Sequence, residues 1–308
     1  MKKAMYVALA AAITLSAGNA FADELWNPHL RGTDEGLAAG ALPPQGVYFI
    51  DDAYMGSWKQ LTDKGNFTGT KLDVFVDIPI LLWNPGIKLL GADYAVAIAQ
   101  PFDYTNVYSN GVAGTGNGHV GTFNTVVIPG MLSWALPYDF HVKGSLAVYV
   151  DDASSTPAYP APAGGAGAGN GFWTVEPGLG ISWLHSGWNV SAQFMYDFNT
   201  EDSSITVARP YKYDSGDQFA ADYTVTKALG KWTVGAGAYQ ENQIEKDKKN
   251  GTSIGCTTCG TRETYGAGPI VGYDFGAINL QATYNFDIMT HNDFGGDFFN
   301  LRAIVPLY

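Results

Sequence analysis

Charge is scarce in this chain. Asp, Glu, Lys and Arg make up only 15% of its 308 residues, against about a quarter in ordinary soluble domains. Cations are scarcer than anions, 17 Lys and Arg against 29 Asp and Glu, for a formal net charge of −12. Such a balance excludes nucleic acid and other polyanions as expected partners. Cysteine is limited to Cys256 and Cys259, in one Gly/Thr-rich stretch. A zinc site there would need two more ligands close by, and a c-type haem attachment would need His where Gly260 stands. For an exported chain the pair reads as one local disulfide.

Catalytic signatures are also missing. There is no Gly-x-Ser-x-Gly elbow, no His-Glu-x-x-His and no phosphate-binding Gly-Lys-Ser/Thr triplet, and the five histidines stand apart at positions 29, 119, 141, 185 and 291. No enzyme, cofactor or metal is expected. The least favoured alternative is an outer-membrane lipid hydrolase, whose Ser/His pair would be assembled by geometry rather than by sequence order.

Long apolar runs are absent after the amino terminus: no stretch reaches 18 apolar residues, so no spanning helix is expected. The terminus itself, with Lys2 and Lys3, the apolar run Ala4 to Leu15 and the small-residue site Ala20-Phe21-Ala22, reads as a secretory signal cleaved after Ala22. Its removal takes away two lysines and no acid, so the mature charge falls from −12 to −14.

What the chain does have is rings and glycine, 14% aromatic and 38 Gly, arranged in strict alternation. Ile278, Leu280, Ala282, Tyr284 and Phe286 share one parity, and Asn279, Gln281, Thr283, Asn285 and Asp287 the other. Side chains of a strand alternate between its two faces, so this segment separates an apolar face from a polar one. The pattern recurs where Leu72, Val74, Val76, Ile78 and Ile80 oppose Lys71, Asp73, Phe75 and Asp77, again at 140–150 and again at 188–199. Twelve strands are predicted, near 46–58, 68–83, 87–101, 122–135, 140–151, 172–184, 188–199, 217–227, 232–244, 263–273, 277–289 and 298–308. They are long for a sandwich and suit a closed, up-and-down antiparallel barrel that crosses a membrane.

The connections support this. Brief turns at Asn84-Pro85-Gly86, Pro137-Tyr138-Asp139, His185-Ser186-Gly187, Ala228-Leu229-Gly230-Lys231 and Asp274-Phe275-Gly276 alternate with six longer loops. Short turns at one end and long loops at the other is the outer-membrane pattern, with both termini periplasmic. The tract Thr156–Gly171, rich in Ala, Gly and Pro, reads as an external loop. Trp83, Trp134, Trp173, Trp183, Trp188 and Trp232, at strand ends, read as interfacial anchors. Three segments result: a signal peptide at 1–22, a segment at 23–45 that either enters the lumen or hangs in the periplasm, and a barrel at 46–308.

Charges are costly on a lipid face, so the polar parity is assigned to the lumen. The lining candidates are Asp73, Phe75, Asp77, Asp93, His141, Lys143, Tyr149, Glu176, Gln193, Asp197, Asp287 and Arg302. They carry two readings: a structural network that neutralises Lys143 and Arg302, or a pathway whose acidic excess repels anions. Glu176 stands out mid-strand beside Pro177, with Lys143 as its suggested partner.

Several short runs resemble one family, the outer-membrane, transporter-like proteins named for the meta-pathway of phenol degradation. They are Ala41-Leu42-Pro43-Pro44-Gln45-Gly46-Val47-Tyr48-Phe49, Leu89-Leu90-Gly91-Ala92-Asp93-Tyr94, Glu176-Pro177-Gly178-Leu179-Gly180, Tyr213-Asp214-Ser215-Gly216-Asp217-Gln218-Phe219, Gly268-Pro269-Ile270-Val271-Gly272-Tyr273 and Gly296-Asp297-Phe298-Phe299-Asn300-Leu301-Arg302. The resemblance implies a barrel of about twelve strands in the outer membrane of a Gram-negative bacterium, associated with uptake of hydrophobic or aromatic compounds. The expected partners are membrane lipids, the barrel assembly machinery and a small neutral solute. The competing expectation is a barrel that transports nothing and serves structure or surface contact.

Overall fold

The computed structural model describes residues 27–109, 118–154, 169–203, 211–253 and 260–307. The expected signal sequence, most of the Ala/Gly/Pro tract, the Cys256/Cys259 pair and Tyr308 lie outside them. Twelve antiparallel strands form a closed wall. They are β1 (Gly46–Leu61) and β2 (Phe67–Asn84), then β3 in two pieces (Ala92–Ala99 and Phe102–Ser109) and β4 in two (His119–Thr122 and Val126–Ala135). After these come β5 (Phe140–Tyr149), β6 (Thr174–His185), β7 (Trp188–Asn199) and β8 (Gln218–Leu229). The wall ends with β9 (Trp232–Gln243), β10 (Glu263–Asp274), β11 (Asn279–His291) and β12 (Phe294–Pro306).

Closure is made by β12 on β1, in register from Tyr48↔Pro306 to Gln60↔Phe294. An unpaired edge cannot be hydrated in lipid, so this seam is obligatory for a barrel that crosses a membrane. No described helix is long and apolar enough to cross one; the strands do so instead.

Alternation decides the two faces. On β7, Ser191, Gln193, Met195 and Asp197 are buried, while Trp188, Val190 and Phe198 are exposed. At the short-turn end Trp83, Trp188 and Trp232 are exposed on the outer face, and Trp183 pairs with Phe140. This is the aromatic girdle of a membrane barrel. The β6–β7 turn is two residues, Ser186 (φ 49°) and Gly187 (φ 79°), the left-handed pair whose twist matches the flanking strands.

Two expectations need correction. The outer connections are not all long: β1–β2 spans 62–66 and β11–β12 only 292–293, because both strand pairs run further out than the sequence suggested. The predicted strand 87–101 continues to Ser109, with a break at Gln100 and Pro101 where the ring has no N–H to give the ladder. The connections from Ser109 to His119, Tyr149 to Thr174, Asn199 to Gln218 and Gln243 to Glu263 are the longer ones. Two of them meet in a small sheet formed by Glu201–Asp202, Tyr213–Asp214, Lys248–Lys249 and Thr252–Ser253.

Candidate functional site: the barrel lumen

The lumen has two unlike halves. On the β6–β12 side the inward positions are polar, including Glu176, Gln193, Asp197, Asp222, Glu241, Gln281, Asn285, Asn300 and Arg302, all buried. On the β1–β5 side an apolar stripe runs among polar inward positions that include Asp52, Asp103, Ser133, His141 and Lys143. Tyr54, Trp58, Leu72, Val74, Val76, Ile78, Val107, Phe123 and Val126 form one buried cluster, and Leu82, Ala95, Ala97 and Met131 a second. Ile80 and Ile128 pack against both, so the two join into one stripe. From Leu72 to Leu82 it rises roughly 26 Å, taking ~3.4 Å per residue and a ~40° tilt. That is the height of the hydrocarbon-facing wall.

Residues 27–40 lie inside this lumen. They make successive turns, with Thr33 N on Leu30 O, Glu35 N on Gly32 O and Leu37 N on Asp34 O, each at 3.3 Å. Such a path leaves amides and carbonyls unpaired, and a buried segment must satisfy them. The wall does so: Asp222 accepts from Gly32 N (3.1 Å) and Asp34 N (2.8 Å), Thr224 from Gly36 N (2.7 Å) and Ser182 from Gly40 N (2.7 Å). In return Gln281 and Arg302 each donate to Glu35 O at 2.9 Å, Asn189 donates to Leu37 O at 3.1 Å and Ser133 to Gly40 O at 2.8 Å. Arg302 also donates to Thr33 O. At Gly180 the fit is close enough that a Cβ would fall 2.0 Å from Ala39 O.

Charge holds the segment at two levels. Arg31, 3% exposed, places Nε 3.0 Å from Glu241, Nη2 2.9 Å from Asp293 and Nη1 3.7 Å from Asp287. Its guanidinium stacks over Trp58, 5.2 Å from the ring centre. His29 lies 3.3 Å from Glu176 and 3.9 Å from Asp222. Burial opposes the imidazolium, but Glu176 and Asp222 overrule it and hold His29 well above its ordinary pKa. Burial, with Asp222 alongside, pushes the Glu35 carboxyl up to about 9, against the pull of Asn285 and Arg302.

Of the lining candidates, His141, Lys143, Tyr149, Glu176, Gln193, Asp197, Asp287 and Arg302 share the inward parity. Asp93 stands at the rim, 2.8 Å from Lys88 and half exposed. The partners of Glu176 are His29 and the Tyr149 hydroxyl, at 3.1 Å, rather than Lys143, which pairs in register with Gly180.

Asp73, Phe75 and Asp77 are misassigned: β2 is turned the other way. Leu72, Val74, Val76 and Ile78 are buried inside, while Phe75, Leu81 and Trp83 are exposed outside. The rule that charge faces the lumen failed because the outer parity of this strand ends in Leu81 and Trp83, which the girdle claims. Alternation shows that the two faces differ, not which of them meets lipid.

The buried residues that sequence reasoning missed are Asp52, Glu241, Asp293, Tyr54 and Trp58. The adjacent acids Asp51 and Asp52 concealed the parity of β1, and Arg31 and Glu35 lie in a segment with no periodicity.

The family described as "Putative MetA-pathway of phenol degradation" matches residues 59–303. The chain belongs to this family. Its fold is similar to that of the COG4313 outer membrane channel from Pseudomonas putida F1, with a TM-score of 0.70 at 13% identity over 87% of this chain and 97% of that one. The transport unit of the autotransporter AIDA-I from Escherichia coli aligns with a TM-score of 0.52 at 9% identity, over 88% and 95% of the two chains. Among curated proteins, none matches the chain by sequence. With the closed wall and the tryptophan girdle, these similarities make this family member a Gram-negative outer-membrane barrel.

Proposed function

We propose that this barrel is a channel for small, neutral, apolar or aromatic molecules, which travel along the β1–β5 side of the lumen between the wall and residues 27–40. The observation that carries the reading is the inversion of β2, which turns Leu72, Val74, Val76, Ile78, Ile80 and Leu82 inward. Burying a Val or Leu side chain in lipid would recover ~1.5–3 kcal/mol. The strand instead exposes Asp73 and Asp77 outside and keeps its aliphatic face within, an arrangement that gains from an apolar passenger. The polar half of the lumen then serves to hold the plug, with its carboxylates engaged by His29, Arg31 and Arg302.

On this reading residues 1–22 are an export signal, 23–45 a plug and 46–308 the channel, folded into lipid by the barrel assembly machinery. The second reading, a closed barrel without transport, draws on the dense bonding of the plug. Whole cells separate the two: a strain lacking its own copy is supplied with wild-type or Val76→Asp protein in equal amounts of heat-modifiable barrel. Initial uptake of a labelled aromatic hydrocarbon is expected to fall several-fold in Val76→Asp and to hold in Thr226→Val on the polar side. Uptake by the wild type no faster than by the empty strain would end the channel reading.

A further inference from the structure

We propose that His29, Asp34 and Asp222 bind one divalent transition-metal cation of the zinc class, which fastens the plug to the wall. One ligand atom from each of the three lies within 4.8 Å of the others. His29 and Asp34 come from the plug and Asp222 from β8, so an ion bound here is a crosslink between the two parts.

The orientation of His29 fits a metal ligand. Its Nδ1 faces Glu176 at 3.3 Å, which leaves Nε2 turned toward Asp222 at 3.9 Å. That is too long for a hydrogen bond. Two ligands sharing one ion at ~2.0–2.2 Å stand ~3.4 Å apart in tetrahedral geometry, so the His29–Asp222 pair has to close by about half an ångström, and Asp34, within 4.8 Å of both, by up to ~1.4 Å. Histidine ligands commonly give their other ring N–H to a carboxylate that fixes tautomer and direction, and Glu176 is placed for that role. Asp222 already accepts two backbone N–H bonds, but a carboxylate offers about four acceptor sites and can still serve an ion.

An independent observation points the same way. Asp197, 1% exposed, has Oδ1 buried with no hydrogen-bond partner among the described residues, and its carboxyl lies against Glu176. Four carboxylates, Glu176, Asp197, Asp222 and Asp34, thus stand around His29, with Lys143 facing Asp34 as the second cation. A divalent cation would supply the positive charge that these two leave short. Thr33 Oγ1, which donates to Leu30 O at 2.7 Å, also lies 3.3 Å from His29 Nε2. One nitrogen and two carboxylates are too few oxygens for calcium, which takes six to eight, and suit zinc or cobalt.

The test uses the full mature protein in detergent, stripped with chelator and dialysed against Zn²⁺, with bound metal measured per barrel. Retention of one equivalent is expected, reduced at least tenfold in affinity by Asp34→Asn and by His29→Gln while both variants keep a heat-modifiable barrel. Co²⁺ in place of zinc is expected to show visible bands in the wild type that Asp34→Asn abolishes. His185→Gln and His291→Gln, which alter the outer histidine–acid pairs with Asp139 and Glu263, are expected to bind as the wild type does. No zinc retained by the wild type, or retention that the His29 and Asp34 variants leave unchanged, would overturn the site.

Discussion

Asp52 and Arg302 are register partners on the seam that closes the barrel, with Arg302 Nε 3.0 Å from Asp52 Oδ1 and both side chains almost fully buried. Asn300 donates to the same carboxylate at 2.7 Å. Removing one member of a buried pair strands the other, at a cost of ~3–5 kcal/mol. Asp52→Ala is therefore expected to lower the urea midpoint of the folded barrel clearly. An unchanged midpoint would show that strand pairing alone closes the wall.

Arg31 is the strongest fastening of the plug. Arg31→Ala leaves Glu241, Asp287 and Asp293 without their shared cation and frees the segment from Trp58. Single-channel conductance in a planar bilayer is expected to rise several-fold over the wild type. Equal conductance would mean that the backbone bonds to Asp222 and Arg302 suffice to keep the lumen filled.

The orientation of β2 can be read directly. Single cysteines at Phe75 and Asp77, labelled with a fluorophore, are expected to be quenched by brominated lipid, and those at Val74 and Val76 to be protected. The reverse pattern would restore Asp77 to the lumen.

The disulfide expected between Cys256 and Cys259 is tested by alkylating unfolded, unreduced protein, which should show no free thiol. A bridge that closes so short a loop stabilises little, so the double serine variant is expected to keep the wild-type urea midpoint. Two alkylated thiols would exclude the bridge.

At the carboxyl end, Ile304 and Val305 pair with Ile50 and Phe49. Deleting residues 304–308 exposes that stretch of β1, and the truncated chain is expected to accumulate without becoming heat-modifiable. Normal membrane insertion would show that the seam tolerates a shortened β12.

Much of the wall was legible because its rule is local. Alternation such as that of Ile278 to Asp287, and turns such as Ser186-Gly187, depend on neighbours in sequence. The facing of β2 was not local: it follows from Tyr54 and Trp58 across the β1 ladder, where Val76 and Leu72 are their register partners. The plug was illegible for the same reason. Arg31 and Asp293 are separated by 262 residues, and nothing around Arg31 alternates. The two short outer turns were missed because Lys59, Gln60 and Asp293, polar residues of loop character, are drawn into or beside the ladder by partners on the neighbouring strand.

The two-residue β11–β12 turn, where Asp293 grips Arg31, also sets an order of events. Arg31 and Asp293 are 262 residues apart, so Arg31 leaves the ribosome long before its partner exists. Closing so long a loop carries an entropic cost that only late contacts repay. Residues 27–40 must therefore wait undocked until the β11–β12 hairpin forms, and their protection from protease reports that Arg31 has met Asp293.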